Sequence, residues 1–162
     1  MKKIICCLFV LILTGCTQKT NITPVIRSIS FTAEMTYYNE YYEIAVNIDK
    51  NGVLTGAMLH PSELDGLVFT VKNGQTTAEF DGIKITTDSY KTAAISFLYS
   101  AFKTEKNKVY KNENRFFLKG DCEGGEYTMY ISEGGLPLKI CDSADRFEII
   151  IKNLKINKEK EP

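Results

Sequence analysis

The stretch of residues 67–87, LVFTVKNGQTTAEFDGIKITT, decides the fold class because it holds three short strands and both of the turns that join them. Apolar side chains occupy alternate positions in each part, which is the pattern of a strand with one buried face. The pairs Asn73-Gly74 and Asp81-Gly82 separate the parts, and such pairs favour the tight turns of antiparallel hairpins. The stretch therefore predicts three consecutive antiparallel strands.

The same period of two continues on both sides of this stretch. Upstream it runs through residues 29–37, 42–48 and 53–59, and the turn sequence Asp49-Lys50-Asn51-Gly52 precedes the third of these. Downstream, strand patterns return at residues 115–119, 127–132, 136–141 and 146–154. The chain therefore predicts about ten strands joined mostly by short turns, with no strand–helix–strand alternation.

One segment follows the helical period instead. After Asp88 or Ser89, either of which can cap a helix, apolar side chains recur at helical spacing. They are Tyr90, Ala93, Ala94, Phe97, Leu98, Ala101 and Phe102. This stripe has two interpretations: it packs on the sheet as core, or it lines an apolar cavity that holds an acyl chain. In the second case Tyr90, Phe97, Leu98 and Phe102 bind the ligand.

These patterns predict a mainly β fold of the α+β class in one domain, residues 29–156. One helix cannot cover both faces of a ten-stranded antiparallel sheet, so the sheet has to curl and make a core on one face. We therefore expect an incomplete barrel whose concave face is covered by the amphipathic helix.

The order of strands, mid-chain helix and further strands resembles the lipoprotein-localisation carriers, the LolA/LolB-like family. The resemblance is carried by HPSELDGLVF before one hairpin, FDGI after it and the late meander GGEYTMYISEGGLPLKI, within about 120 residues. It implies a half-barrel with an apolar concave face that binds an acyl chain, a lipid or a lipoprotein. The carriers have several helices, whereas this chain predicts one.

The N-terminal residues resemble the export signal of bacterial lipoproteins. Lys2 and Lys3 precede a ten-residue apolar run, which is half of what a spanning helix needs and the right length for a signal peptide. The run ends in Leu13-Thr14-Gly15-Cys16, which resembles a lipobox. The resemblance implies a signal peptide over residues 1–15 and lipidation of Cys16. The alternative is a plain secretory signal that is cleaved elsewhere.

The resemblance to a lipobox implies that the protein lies on the extracytoplasmic face of a bacterial cell membrane, held by its acyl chains. Residues 16–28 then form the lipidated Cys and a polar tether, and residues 157–162 form a charged tail. Two further cysteines, Cys122 and Cys141, belong to the exported domain and are able to pair. A hairpin estimate sets Cys141 opposite Thr128, and Thr128 opposite Lys119, so Cys122 is offset by three residues. Either a bulge at Gly124-Gly125 closes a disulfide or the two thiols stay separate.

Composition and motifs exclude several classes of function. Twenty basic and twenty acidic residues give a formal net charge of zero, which lacks the footprint of a nucleic-acid binder. The turn at Asp49 has Val53 and His60 where a calcium loop needs ligands, and His60 stands alone. Asp142 and Asp145 lie in a turn-like segment. We therefore predict no catalytic residues, no metal and no cofactor.

Three function classes follow from these observations. The first is an envelope lipoprotein that binds an apolar ligand without covalent chemistry. The second is a scaffold lipoprotein with a filled core that binds a protein partner, with Tyr38 and Tyr41 at one hairpin tip as candidate contacts. The third, an envelope enzyme, has the least support because no catalytic motif occurs.

Overall fold

A computed structural model describes residues 18–37, 39–87, 94–103, 108–122, 125–144 and 146–157. These residues contain twelve strands, one α-helix and a 3-10 turn at Ser62–Leu64. The strands are β1 (Gln18–Lys19), β2 (Ile29–Tyr37), β3 (Glu40–Ile48), β4 (Leu54–His60), β5 (Val68–Lys72), β6 (Gln75–Phe80), β7 (Ile83–Thr87), β8 (Tyr110–Asn112), β9 (Arg115–Cys122), β10 (Gly125–Ile131), β11 (Pro137–Asp142) and β12 (Phe147–Ile156). The helix α1 spans Ala94–Lys103.

All twelve described strands belong to one antiparallel sheet in the order β1-β8-β9-β10-β11-β12-β2-β3-β4-β5-β6-β7. The sheet is not closed into a barrel, and its edge strands are β1 and β7. The predicted fold class, a curled antiparallel sheet with one helix, is confirmed. The sequence prediction missed β1 and β8, which are only two and three residues long and too short to show a period.

Hairpin turns form where Asn-Gly and Asp-Gly pairs were predicted to place them. Asn73 and Gly74 have φ of 52° and 86°, and Asp81 and Gly82 have φ of 52° and 79°. Positive φ at both central residues is the requirement of a type I′ turn, whose twist matches that of the flanking strands. These turns set the register of the β5–β6–β7 meander.

The sheet curls around α1. The helix is ten residues long, or about 15 Å. Its Ile95 lies near Gly56 of β4, and its Ser100 carbonyl accepts a hydrogen bond from Tyr127 of β10. In a flat sheet β4 and β10 would lie about 24 Å apart, five strand spacings. A short helix contacts both only because the sheet bends around it.

The core fills the concave side of this curl. Alternate residues of each central strand are buried, as in the β2 series Ile29, Phe31, Ala33 and Met35. The helix adds Leu98, Ala101 and Phe102, each no more than 1% exposed. The predicted alternation of inward apolar and outward polar residues is thus the basis of the core.

The segment before β2 is not the polar tether that the sequence predicts. β1 pairs with β8, the amide of Val25 donates to the Gly135 carbonyl, and Ile26 is buried in the core. Described residues 18–28 therefore form a strap across one end of the sheet, and the packed domain begins before residue 29. The isolated apolar residues of a short strap have no periodicity, which is why the sequence pattern did not show it. At the other terminus, the Asn157 amide donates to the Ser28 carbonyl, and residues 158–162 lie outside the described residues.

Candidate functional site

The helix stripe predicted to bind a ligand lies inside the core. Phe102 stacks on Phe31 with ring centroids 5.3 Å apart, and Phe97 meets Phe147 at 4.3 Å. Phe97, Leu98 and Phe102 are all buried. Tyr90, the fourth predicted residue, lies outside the described residues. The space between α1 and the centre of the sheet is therefore filled by side chains.

The concave face continues beyond α1 as an apolar surface. Cross-strand pairing joins Val46 to Gly56, Gly56 to Phe69, Phe69 to Ala78, and Ala78 to Ile85. Paired residues share a face of the sheet. Ile85 and its neighbour Ile83 therefore lie on the same side of the sheet as the buried Val46.

This part of the concave face is exposed. Ile83 is 67% exposed, Ile85 62% and Phe80 38%, whereas Val46 is 2% exposed. We call Phe69, Phe80, Ile83 and Ile85 the apolar strip. It starts where α1 begins, since Ile95 lies over Gly56, and it extends to the edge strand β7. Exposed apolar surface of this kind marks binding sites more often than isolated apolar residues do.

Sequence reasoning recognised the strands of the apolar strip but not their exposure. The alternation of Phe80, Ile83 and Ile85 is the same as that of a core strand. The missing signal was the length of the helix, because a helix of about 15 Å is too short to reach across a whole sheet of about ten strands spaced about 4.8 Å apart. The strands at the end of the β5–β6–β7 meander are the ones that the helix does not cover.

The convex face carries a row of aromatic rings on the other side of the molecule. The rings of Tyr110 and Phe117 lie 5.8 Å apart, and those of Phe117 and Tyr130 lie 6.3 Å apart. Two shallow grooves flank Tyr130, with volumes of about 390 and 600 Å³. Arg115 and Thr128 line both grooves. The row mixes aromatic and basic groups, unlike the wholly apolar strip.

Asp142 is a structural carboxylate. It is buried, and it accepts hydrogen bonds from the Arg146 amide at 2.7 Å, the Arg146 Nε at 2.6 Å and the Phe147 amide at 3.2 Å. Burial raises the pKa of Asp142, but the bonds from the Arg146 side chain and the two amides outweigh it and hold the pKa below its ordinary value. Asp145, its predicted neighbour in the turn, lies outside the described residues.

The strand register argues against a disulfide between Cys122 and Cys141. As expected, Cys141 pairs with Thr128, and Thr128 pairs with Lys119. Two strand spacings and three residues of offset separate the two Cα atoms by about 14 Å, whereas a disulfide spans less than about 7 Å. Cys141 forms no disulfide in the described structure. Gly124, where a bulge was predicted, lies outside the described residues, so the register disfavours the disulfide and the pairing of the two cysteines stays a prediction.

Lys139 and Glu148 form an ion pair beside Cys141 on the convex face. The hydrogen bond to Glu148 raises the pKa of Lys139 above its ordinary value, although partial burial opposes it. Both side chains are more than a third exposed, so solvent screens the pair. The pair positions the two side chains and adds little stability.

The other residues singled out from the sequence are the tyrosines of the β2–β3 hairpin and His60. Tyr42 packs against the core and Tyr41 is 46% exposed, as strand alternation requires. His60 ends β4, and its ring lies 5.4 Å from that of Tyr41. Tyr38 lies outside the described residues, as do the predicted signal peptide and Cys16.

The described residues offer neither a metal cluster nor a membrane-spanning helix. They contain no group of three or more His, Cys, Asp or Glu residues that could hold a metal ion. Within the same ranges, no helix has the length and apolar character needed to cross a membrane.

Comparison with known proteins finds similarity in structure and none in sequence. No protein-family model matches the chain. No curated protein matches its sequence either. The chain is similar in structure to a LolA superfamily protein from Nitrosomonas europaea, with a TM-score of 0.44 and 7% identity, over 91% of this chain and 89% of that one. At this level of similarity, no residue role passes from that protein to this chain.

Proposed function

We propose that this protein is a lipid-anchored envelope lipoprotein that binds an acyl chain on the apolar strip. The observation that carries the proposal is the exposure of Ile83 and Ile85 on the face that forms the core in the central strands. A ligand lying there would continue the packed core beyond α1. It would bury side chains worth about 1.5–3 kcal/mol each when fully removed from water.

The site is proposed for binding and not for catalysis. Among the described residues, Asp142 is the one buried carboxylate, and it is committed to Arg146 and to the backbone. The apolar strip itself carries no titratable group. Such a surface recognises alkyl chains by shape and desolvation, which suits a lipid or the acyl group of a lipoprotein.

Binding is tested with the fluorescent fatty acid cis-parinaric acid. The chain is produced from residue 16 with Cys16→Ala, which keeps every described residue. We expect saturable fluorescence enhancement, weakened at least about tenfold by Ile83→Ser with Ile85→Ser. The matched control is Lys84→Ser with Thr86→Ser, on the opposite face of the same strand. Absence of binding, or equal loss in both double variants, would contradict the proposal.

Anchoring is tested separately in cells. The Leu13-Thr14-Gly15-Cys16 sequence supports lipidation, since two acyl chains are enough to hold a protein stably on a bilayer. We expect the parent chain to incorporate radiolabelled palmitate and to sediment with membranes, and Cys16→Ala to do neither. Labelling of the Cys16→Ala chain would show that the anchor is elsewhere.

A second candidate uses the same edge of the sheet for a protein partner. β7 is an edge strand with five exposed residues, and an edge strand can pair with an extended segment of another protein. Replacing Lys84 by Pro would remove a backbone donor and block pairing. If a partner were lost in Lys84→Pro while cis-parinaric acid still bound, the protein-binding function would be favoured.

A further inference from the structure

The attachment point of the proposed anchor follows from the position of β1. Gln18 pairs with Lys111 of β8, and Cys16 precedes Gln18 by only two residues. Two residues of chain span at most about 7 Å. Any acyl group on Cys16 therefore leaves the protein beside the β8–β9 hairpin, with no tether between sheet and membrane.

This hairpin is basic in a chain whose net charge is zero. Residues 108–119 contain four basic residues and one acidic residue, Glu113, and β9 carries one further acidic residue, Asp121, near its end. The basic residues are Lys108, Lys111, Arg115 and Lys119. We call residues 108–119 the basic hairpin. Lys108, Arg115 and Lys119 are exposed, and within the described part of the chain none of the three makes an ion pair.

The opposite charge lies farther along the sheet. Residues 29–65, which form β2 to β4 and the 3-10 turn, contain six acidic residues and one basic residue. The molecule is therefore electrically polarised along its sheet, with the positive end at the strand that follows Cys16. An anionic bilayer attracts the positive end and repels the negative one.

The convex side of the basic hairpin also suits the boundary between water and lipid. Tyr110, Phe117 and Tyr130 form the half-buried aromatic row, and Leu138, 48% exposed, lines a groove together with Arg115. Aromatic rings with basic neighbours are the side chains that settle at headgroup level. On the opposite face of the hairpin, Lys111 places its ammonium over the Phe116 ring at 5.2 Å.

We propose that the basic hairpin is a docking surface for anionic lipid headgroups and holds this end of the sheet on the bilayer. The inference extends the proposed anchoring at Cys16 and does not depend on acyl binding by the apolar strip. It directs β2 to β4 away from the membrane surface. The lipid anchor and the basic hairpin then act as two attachments close together, which fixes orientation as well as location.

The test measures binding of the unlipidated Cys16→Ala chain, from residue 16, to vesicles of phosphatidylcholine containing about one third phosphatidylglycerol. Each basic side chain at an anionic surface contributes roughly a fivefold gain in partitioning. We therefore expect Arg115→Gln with Lys119→Gln to weaken partitioning about 25-fold. Added salt should weaken binding of the parent chain, and vesicles of phosphatidylcholine alone should bind poorly.

The matched control changes net charge equally on the far strands. Lys72→Gln with Lys84→Gln should bind vesicles nearly as well as the parent chain. Amide exchange should slow on vesicles in residues 108–119 and not in residues 68–87. Equal loss in both charge variants would overturn the inference. A second result would also overturn it: vesicle binding that is lost in Ile83→Ser with Ile85→Ser but kept in Arg115→Gln with Lys119→Gln. In that case the apolar strip, and not the basic hairpin, would hold the vesicle.

Discussion

At Asp142, one carboxylate closes the connection between β11 and β12. Its oxygens accept two backbone amides and the Arg146 Nε within a buried pocket, so three donors depend on one side chain. A buried donor that loses its partner costs about 1–3 kcal/mol, more than the net contribution of an ordinary hydrogen bond. Within this loop, we therefore expect replacement of Asp142 to cause the largest loss in the free energy of unfolding.

We expect Asp142→Ala to lower the free energy of unfolding by about 2–3 kcal/mol at neutral pH. The pKa of Asp142 is lowered in the folded state, so its contribution is complete above the unfolded-state pKa of about 3.9 and is lost as pH falls through the folded value. Urea unfolding at neutral and acidic pH measures both effects. The exposed Asp121→Ala is the control, and an equal loss there would contradict the argument.

Gly82 tests the cost of a turn conformation by itself. Its φ is +79°, and a Cβ added there would meet no atom within 4 Å. We expect Gly82→Ala to destabilise the protein by about 1 kcal/mol through backbone strain alone. Gly134→Ala, where φ is not positive and the nearest atom lies 3.8 Å away, should be neutral or slightly stabilising. Thermal unfolding of both variants decides; similar destabilisation in both would contradict the turn argument.

At the scale of elements, one tyrosine links the helix to the sheet. Tyr127 of β10 is 2% exposed, and its hydroxyl donates to the Ser100 carbonyl of α1 at 3.2 Å. Its ring lies over Gly120 of β9, where a Cβ would collide with the ring and the hydroxyl. A glycine is therefore needed there so that Tyr127 can reach the helix.

We expect Tyr127→Phe to lower the free energy of unfolding by about 1 kcal/mol and to speed amide exchange in residues 94–103. Tyr130→Phe, on the convex face of the same strand, is the control and should change neither quantity. If exchange in α1 were unaltered by Tyr127→Phe, the hydrogen bond would not be what holds the helix in place.

At the scale of the whole molecule, the strap closes one end of the curled sheet. Residues 18–28 run from the edge strand β1 to β2. Within this segment the Val25 amide donates a hydrogen bond to the Gly135 carbonyl. Ile26 is 7% exposed and belongs to the same core as the central strands. The strap thus joins strands that are far apart in the sheet order.

We expect Ile26→Ala to cost about 2–4 kcal/mol, as in other buried large-to-small substitutions. Asn21→Ala, exposed in the same strap, should stay within about 0.5 kcal/mol of the parent chain. Chemical denaturation of the two variants measures the difference. If residues 18–28 were an unpacked tether, neither substitution would change the free energy of unfolding. An Ile26→Ala chain as stable as the parent chain would therefore contradict the strap and support a tether.

Most of the fold could be predicted from local patterns in the sequence, namely turn pairs and the alternation of apolar residues. The hairpin register around Asn73-Gly74 and Asp81-Gly82, the pairing of Thr128 with both Lys119 and Cys141, and one helix ending near Phe102 all follow from nearest-neighbour chemistry. A turn pair restricts φ within two residues, and alternation assigns a face within one strand. Such information lies entirely in short stretches of chain.

Only the tertiary structure decided which apolar residues are covered. Phe97, Leu98 and Phe102 on the helix and Phe80, Ile83 and Ile85 on the meander have equally apolar patterns, yet the first set is buried and the second is exposed. The strap at residues 18–28 and the 14 Å offset of Cys122 from Cys141 likewise depend on strands far apart in sequence. The reason is physical: periodicity assigns a side chain to a face, whereas burial depends on how far a helix of about 15 Å reaches across a sheet of twelve described strands.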